Sequence, residues 1–298
     1  MKKMFLMAGI ILLAASCSNE SELTVSNEKE TAPVKVRVSD FSMSMGDISP
    51  EGKPTRAAQD VADYNDVKAI TLAFYAGSTE VYKVNQIKTD PTTYTTFGEF
   101  SCNLPIGTYT MVVIGRGYWD GDEFTLTSST SAGYTSERPR ETFSATQNVT
   151  VTSTVPLDLN VTLNRVIAQL HVVSTDGRSA GVSKIKTTYS GGSKCFNPTT
   201  GFATDNDGFW QTNSPSTAVG STINVYSNVF LTTDEQTMDI TIDALDADDN
   251  VLFTKVVTDV PLKLNRKTTL RGSIFTASAS AVAFQLETEW LDGNTVNF

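Results

Sequence analysis

Few residues in this sequence of 298 could do chemistry, and none is placed to do it alone. A single His and three Cys are all that a zinc site, a cysteine–histidine pair or a Ser-His-Asp triad could draw on. His171 lies inside the apolar run Val166–Val173, so a core histidine bonded to backbone is its expected role. Asp205-Asn206-Asp207-Gly208 opens like a calcium loop, but Phe209 takes the fifth position and no Glu takes the twelfth, so a polar turn is expected. Asp246, Asp248 and Asp249 read as a solvated hairpin turn. Trp119-Asp120-Gly121-Asp122-Glu123 sets an aromatic beside acids, as a sugar platform does, although local packing of the ring explains the same residues. Paired carboxylates for glycoside hydrolysis need a cleft that nothing in the sequence marks. The expectation is a chain with no catalytic residue, no metal ligands and no cofactor beyond a covalent lipid.

The lipid follows from Cys17. Lys2 and Lys3 form a basic start, Met4 to Leu13 an apolar stretch, and Ala14-Ala15-Ser16 a small-residue site directly before the cysteine. Residues 1–16 read as a lipoprotein signal peptide, with the Cys17 thiol carrying acyl chains such as palmitate. Each buried CH₂ adds about 0.8 kcal/mol of membrane affinity, so several chains anchor firmly. The lipobox departs from the usual pattern in one place, since Ala14 stands where Leu is common, and plain secretion with an incidental Cys stays open beside lipidation. After export only Cys102 and Cys195 remain as thiols that could pair, and nothing in their spacing brings them together.

Charge narrows the partners. With 23 Lys+Arg against 33 Asp+Glu the net charge is -10, and loss of Lys2 and Lys3 with the leader makes it more negative still. Phosphate binding needs clustered basic residues, so nucleic acid is not an expected partner. Acidity of this size favours solubility on an exposed surface.

The elements are strands. Residues 17–32 are polar and acidic and read as a flexible tether. Pro33–Val38 then alternates, with Val34, Val36 and Val38 on one face and Lys35 and Arg37 on the other, and the strand extends toward Met45. Gly46–Asn65 is a Gly- and Pro-rich linker. Further strands are expected at Val67–Tyr75, Val81–Val84, Phe97–Leu104 and Tyr109–Gly115, and one long alternating span at Thr142–Leu163. Loops are expected at 116–140 and at Gly191–Gly220. Strands resume at Val166–Val173, Val182–Tyr189, Ile223–Leu231, Met238–Ala244, Val251–Val257, Leu270–Phe275 and Val282–Trp290. No segment shows a helical apolar stripe. The reading is all-β: two tandem β-sandwich domains of Greek-key, transthyretin-like type, at residues 33–160 and 161–298.

The ordered set PVKVRV, PTRAA, VKAITLAFYAG, NLPIGTYTMVVIGRG, LNRVIAQLHVVSTD and LKLNRKTTLRGSIF resembles the fimbrillin superfamily of Bacteroidetes surface fimbriae over nearly the whole chain. The resemblance implies an outer-membrane lipoprotein, found in the fimbrium once processed and acting in adhesion. Its partners would be other fimbrial subunits or further copies of itself, with a host or bacterial receptor beyond them. An arginine-specific protease would cut between Arg56 and Ala57, freeing the first strand and linker, residues 33–56. A neighbour's donor strand would fill the vacated groove by β-augmentation. Here the donor candidates are Val282, Phe284 and Leu286 in the C-terminal stretch. Arg56 as a plain linker residue, and a C-terminal stretch that completes its own domain, stay open beside this. So do a non-polymerising anchor or tip, and a monomeric glycan-binding lipoprotein using Tyr118, Trp119 or Trp210.

Overall fold

The computed structural model of the chain describes residues 30–42, 64–119, 121, 123–276 and 285–288. The strands of its first half are β1 (Thr31–Ser42), β2 (Ala69–Ala76), β3 (Thr79–Ile87), β4 (Glu99–Pro105), β5 (Gly107–Arg116), β6 (Phe124–Ser128), β7 (Ser131–Tyr134), β8 (Thr142–Val151) and β9 (Leu157–Arg165). The second half adds β10 (Ala168–Ser174), β11 (Lys184–Tyr189), β12 (Cys195–Phe196), β13 (Phe209–Asn213), β14 (Asn224–Val229), β15 (Glu235–Leu245), β16 (Val251–Lys263), β17 (Lys267–Gly272) and β18 (Gln285–Thr288). The fold is all-β, and one 3₁₀ turn, Pro91–Thr93, is the only helical element among the described residues.

Seven strands form the first sheet in the order β3-β2-β5-β8-β9-β1-β4. Side chains from all seven meet in one core, among them Val36, Leu72, Val84, Phe100, Met111, Phe143 and Val161. The two ends of the sheet approach each other: the buried Gln86 of β3 donates to the Glu99 carbonyl at 2.7 Å and accepts from the Gly98 amide at 2.8 Å. β2 and β5 are buried on both faces. One face turns Ile70, Leu72, Met111 and Val113 into that core, and the other turns Ala73, Tyr75, Val112 and Ile114 into a second cluster. That double burial explains why the two strands read as continuous apolar runs rather than alternating ones.

The second half makes two four-stranded sheets, β14-β10-β17-β18 and β13-β11-β15-β16. Leu170, Val172, Val225 and Leu270 of one pack on Ile185, Phe209, Ile240 and Leu262 of the other. The first strand of each half runs parallel to a late one, β1 beside β9 and β10 beside β17.

Several sequence expectations change. β1 starts at Thr31, two residues earlier than the alternation suggested, and Pro33 is tolerated because pairing with β9 begins only at Val34. The span Thr142–Leu163 is two strands broken at residues 152–156. The expected loop 116–140 holds the hairpin β6–β7, and the expected loop Gly191–Gly220 holds β12 and β13. β12 pairs with β7 to complete a three-stranded sheet with β6. β6 and β7 pair with each other across a short turn, whereas β12 and β13 are recruited by β7 and β11 rather than by local alternation. Gly133 marks the closeness of that pairing, since a Cβ there would lie 2.5 Å from Cys195 Sγ.

Candidate functional site: a seated first strand and the joint beside it

β1 lies inside the first sheet. Residues Val34–Ser42 pair parallel with β9, and Thr31–Arg37 pair antiparallel with β4. The Val38 amide adds a bond to the Gly98 carbonyl at 2.9 Å, and Ser39 Oγ donates to the Val161 carbonyl at 3.4 Å. Alternation puts Ala32, Val34, Val36 and Val38 into the core. The register then shifts between Val38 and Asp40, and this bulge turns Phe41 inward, fully buried. Burying each of the three valines and Phe41 stabilises the seat by about 1.5–3 kcal/mol.

The outward face is charged and wet. Arg37 Nε lies 2.8 Å from a Glu99 carboxylate oxygen, with both side chains largely exposed, which makes the pair worth about 0–1 kcal/mol. The partner strand β4 carries Cys102, opposite Val34, a free thiol that burial pushes up to about 11.

At the far end of β1 the sheet meets the second half through a buried polar network. Arg165 closes β9, and its side chain is 1% exposed. Its Nε donates to Glu141 Oε1 at 2.9 Å, its Nη2 donates to the Tyr64 hydroxyl at 2.7 Å, and its Nη1 donates to Asn265 Oδ1 at 2.9 Å. Tyr64 in turn donates to Glu141 Oε1 at 2.6 Å. Burial, and then the Glu141 carboxylate, push the Tyr64 phenol far up, so it stays a donor. Asn265 holds a left-handed turn between β16 and β17 at φ 57, a conformation Asn tolerates better than most residues. Beside this network lies the second apolar cluster, where Tyr75, Val112 and Ile114 meet Tyr134, Val166, Ile167, Phe196 and Phe230.

The expected site residues divide between the described segments and the rest. Cys17, Arg56, Ala57, Val282 and Phe284 lie outside the described residues. Leu286 lies in β18, whose backbone pairs it with Leu270 of the same chain. Cys102 and Cys195 are both free. His171 is not a core residue: it sits half-buried on the outer face of β10, stacked on Tyr226 at 4.1 Å, with Nε2 3.1 Å from Asn224 Oδ1. The alternation of β10 explains this, since Leu170 and Val172 take the core face.

The acidic segments satisfy themselves. Asp205 Oδ2 accepts from Ser193 and Thr204, and Asn206 Oδ1 accepts from the Gly192 amide. Asp246 accepts from the Asp248 and Asn250 amides and the Asn250 side chain, which lowers its pKa. Among the described residues no three His, Cys, Asp or Glu side chains are grouped to hold a metal ion. Trp119 lies half-buried under the Arg140 guanidinium, 3.1 Å from the ring centre, whereas Trp210 is 44% exposed on β13 with Lys186 Nζ 5.1 Å away.

The sequence carries Arg165 only inside the stretch LNRVIAQLHVVSTD, and nothing in it marks Phe41, Tyr64, Glu141 or Asn265. The available signal was Arg165 itself: a cation wedged between Leu163 and Val166-Ile167 demands a buried anion.

The sequence model of a family of unknown function, DUF6562, matches residues 30–295. No curated protein matches the sequence. Among solved structures, a "putative adhesin" from Bacteroides ovatus superposes with a TM-score of 0.53 at 11% identity, over 88% of this chain and 97% of that one. The fimbrial anchor protein Mfa2 from Porphyromonas gingivalis gives 0.53 at 10% identity, over 87% of this chain and 98% of that one. At such identities the likeness is one of fold.

Proposed function

This chain belongs to the family of unknown function DUF6562, and we propose that it is a surface-anchored fimbrial protein whose first strand is a removable filler of its own first sheet. One observation carries the reading: β1 occupies an interior seat between β9 and β4, with its whole apolar face in the core. Sharing a fold with a fimbrial anchor supports it, as do the export signal and Cys17 in the sequence.

In this account the lipid on Cys17 holds the chain in the outer membrane, facing outward. Cleavage between Arg56 and Ala57 detaches β1 from everything that follows it. The loss leaves the backbone groups of β4 and β9 unpaired and an apolar slot bare to water, both costly. A strand from a neighbouring subunit repairs both at once. The C-terminal stretch with Val282, Phe284 and Leu286 supplies the donor. The role is adhesion by assembly, with other fimbrial subunits or further copies as partners. A chain that keeps β1 would serve instead as anchor or tip.

Brief trypsin treatment of the purified chain, followed by gels of unboiled samples, tests this. Ladders of SDS-resistant multimers are expected for the wild type and not for Arg56→Ala. Equal polymerisation of Arg56→Ala refutes processing at this position.

The exposure of Trp210 favours a second reading, in which its ring stacks on a sugar face. A glycan array with binding lost in Trp210→Ala supports it, and an array with no hit dependent on Trp210 removes it.

A further inference from the structure

β1 ends against the joint, and the contact is continuous. The Phe41 ring packs 5.2 Å from Tyr64 and 4.8 Å from Phe143, and Tyr64 meets Phe143 edge-on at 5.4 Å. Phe41 also reaches the β5 backbone at Gly115, where a Cβ would stand 3.1 Å from its ring. Phe143 lies 4.9 Å beneath the Arg165 guanidinium, and Tyr64 hydrogen-bonds both Arg165 and Glu141. Arg165 then reaches Asn265, on the turn between β16 and β17 in the second half. A chain of buried contacts therefore runs from the last turn-in of β1 to the other half of the molecule.

We propose that occupancy of the β1 seat sets the stiffness of the joint between the two halves, with Phe41 as the positioning residue that acts through Tyr64 and Phe143 on Arg165. This rests on the reading of β1 as a removable strand and adds a consequence to it. With Phe41 gone, the two remaining rings border a cavity. Tyr64 is then released from one side, while cleavage after Arg56 leaves it the eighth residue of the new chain. Water reaches the Arg165–Glu141 pair, and a buried ion pair weakens as the local dielectric rises. A strand in the seat with an aromatic at the Phe41 position restores the joint, whereas one without it fills the groove and leaves the joint loose. Occupancy of the sheet thus becomes tightness or looseness of the Arg165 contact, while the β7–β12 pairing still links the halves, a local change of the kind that packed interfaces transmit.

Amide hydrogen exchange on the intact chain tests this without any cleavage. Two amides report on the joint: Val166, bonded to the Thr142 carbonyl at 3.0 Å, and Asn265, bonded to the Ile167 carbonyl at 2.8 Å. Phe41→Ala is expected to speed both about tenfold through local opening. Phe41→Leu, which keeps more of the packing and guards against loss of the fold, is expected to do so less. Val34→Ala, equally buried in β1 but away from the triad, is expected to speed exchange in β4 and leave the joint unchanged. Equal effects of Phe41→Ala and Val34→Ala at Val166 and Asn265, or no effect of either, overturn the coupling. The outcome is separable from the removable strand itself. If cleavage releases residues 31–42 while both joint amides keep their rates, the coupling fails and the removable strand stands. If Phe41→Ala speeds the joint but cleavage releases nothing, the reverse holds.

Discussion

The seat of β1 and the joint at Arg165 touch through one aromatic triad, yet they are built from opposite materials. The seat is held by backbone hydrogen bonds on two sides and a row of valines. Any extended strand with the same alternation offers the same groups, so the seat specifies a pattern and not a particular segment. The polar part of the joint is held by one cation with three named partners, from positions 24, 100 and 101 residues away, beside the β7–β12 pairing and the second apolar cluster that also link the halves. No other segment could reproduce it. The seat is therefore the part whose groups another strand could match, and the Arg165 network the part that depends on its own side chains.

Breaking the joint is expected to have the largest effect. Arg165→Ala leaves Glu141 without its cation, and loss of one partner of a buried pair costs about 3–5 kcal/mol, measurable by urea unfolding. Weakening the seat comes next. Val36→Ala removes two buried methyl groups and lowers stability by about 1.5 kcal/mol in the same measurement, while also favouring release of β1 after cleavage.

Smaller still is a pH effect from the seat's neighbour. Burial raises the Cys102 thiol from its ordinary 9.0 to about 11. The folded state therefore favours the neutral thiol, so this contribution is whole below pH 9 and is lost as the pH rises through about 11. Cys102→Ala should flatten the stability profile in that window, and an unchanged slope there counts against burial of the thiol beside β1. The smallest change expected is Arg37→Ala on the exposed face, within about 0.5 kcal/mol, because solvent screens its pair with Glu99. A larger loss would mean that the outward face of β1 also specifies what occupies the seat.

Much of the seat was legible because alternation is local. Val34, Val36 and Val38 announce a half-buried strand, and the runs VKAITLAFY and YTMVVIG announce strands, whose burial on both faces only the structure shows. The bulge that turns Phe41 inward was not legible, since it depends on the register with β9. The hairpin β6–β7 was hidden for a related reason: its third strand, β12, arrives some sixty residues later, with Gly133 under Cys195 at the crossing. His171 misled, because an apolar run looks the same whether a residue faces the core or the outer side of a strand. The joint was least legible, as the partners of Arg165 are set by tertiary packing alone.

Replacement of β1 by another strand is testable by uptake of a labelled peptide. The chain is cut after Arg56 and mixed with a labelled peptide of residues 31–42, then resolved by gel filtration. The labelled peptide is expected to co-elute with the protein as the native segment is lost, and a peptide carrying Val36→Asp is expected not to. Retention of the native segment, with neither peptide bound, would contradict it.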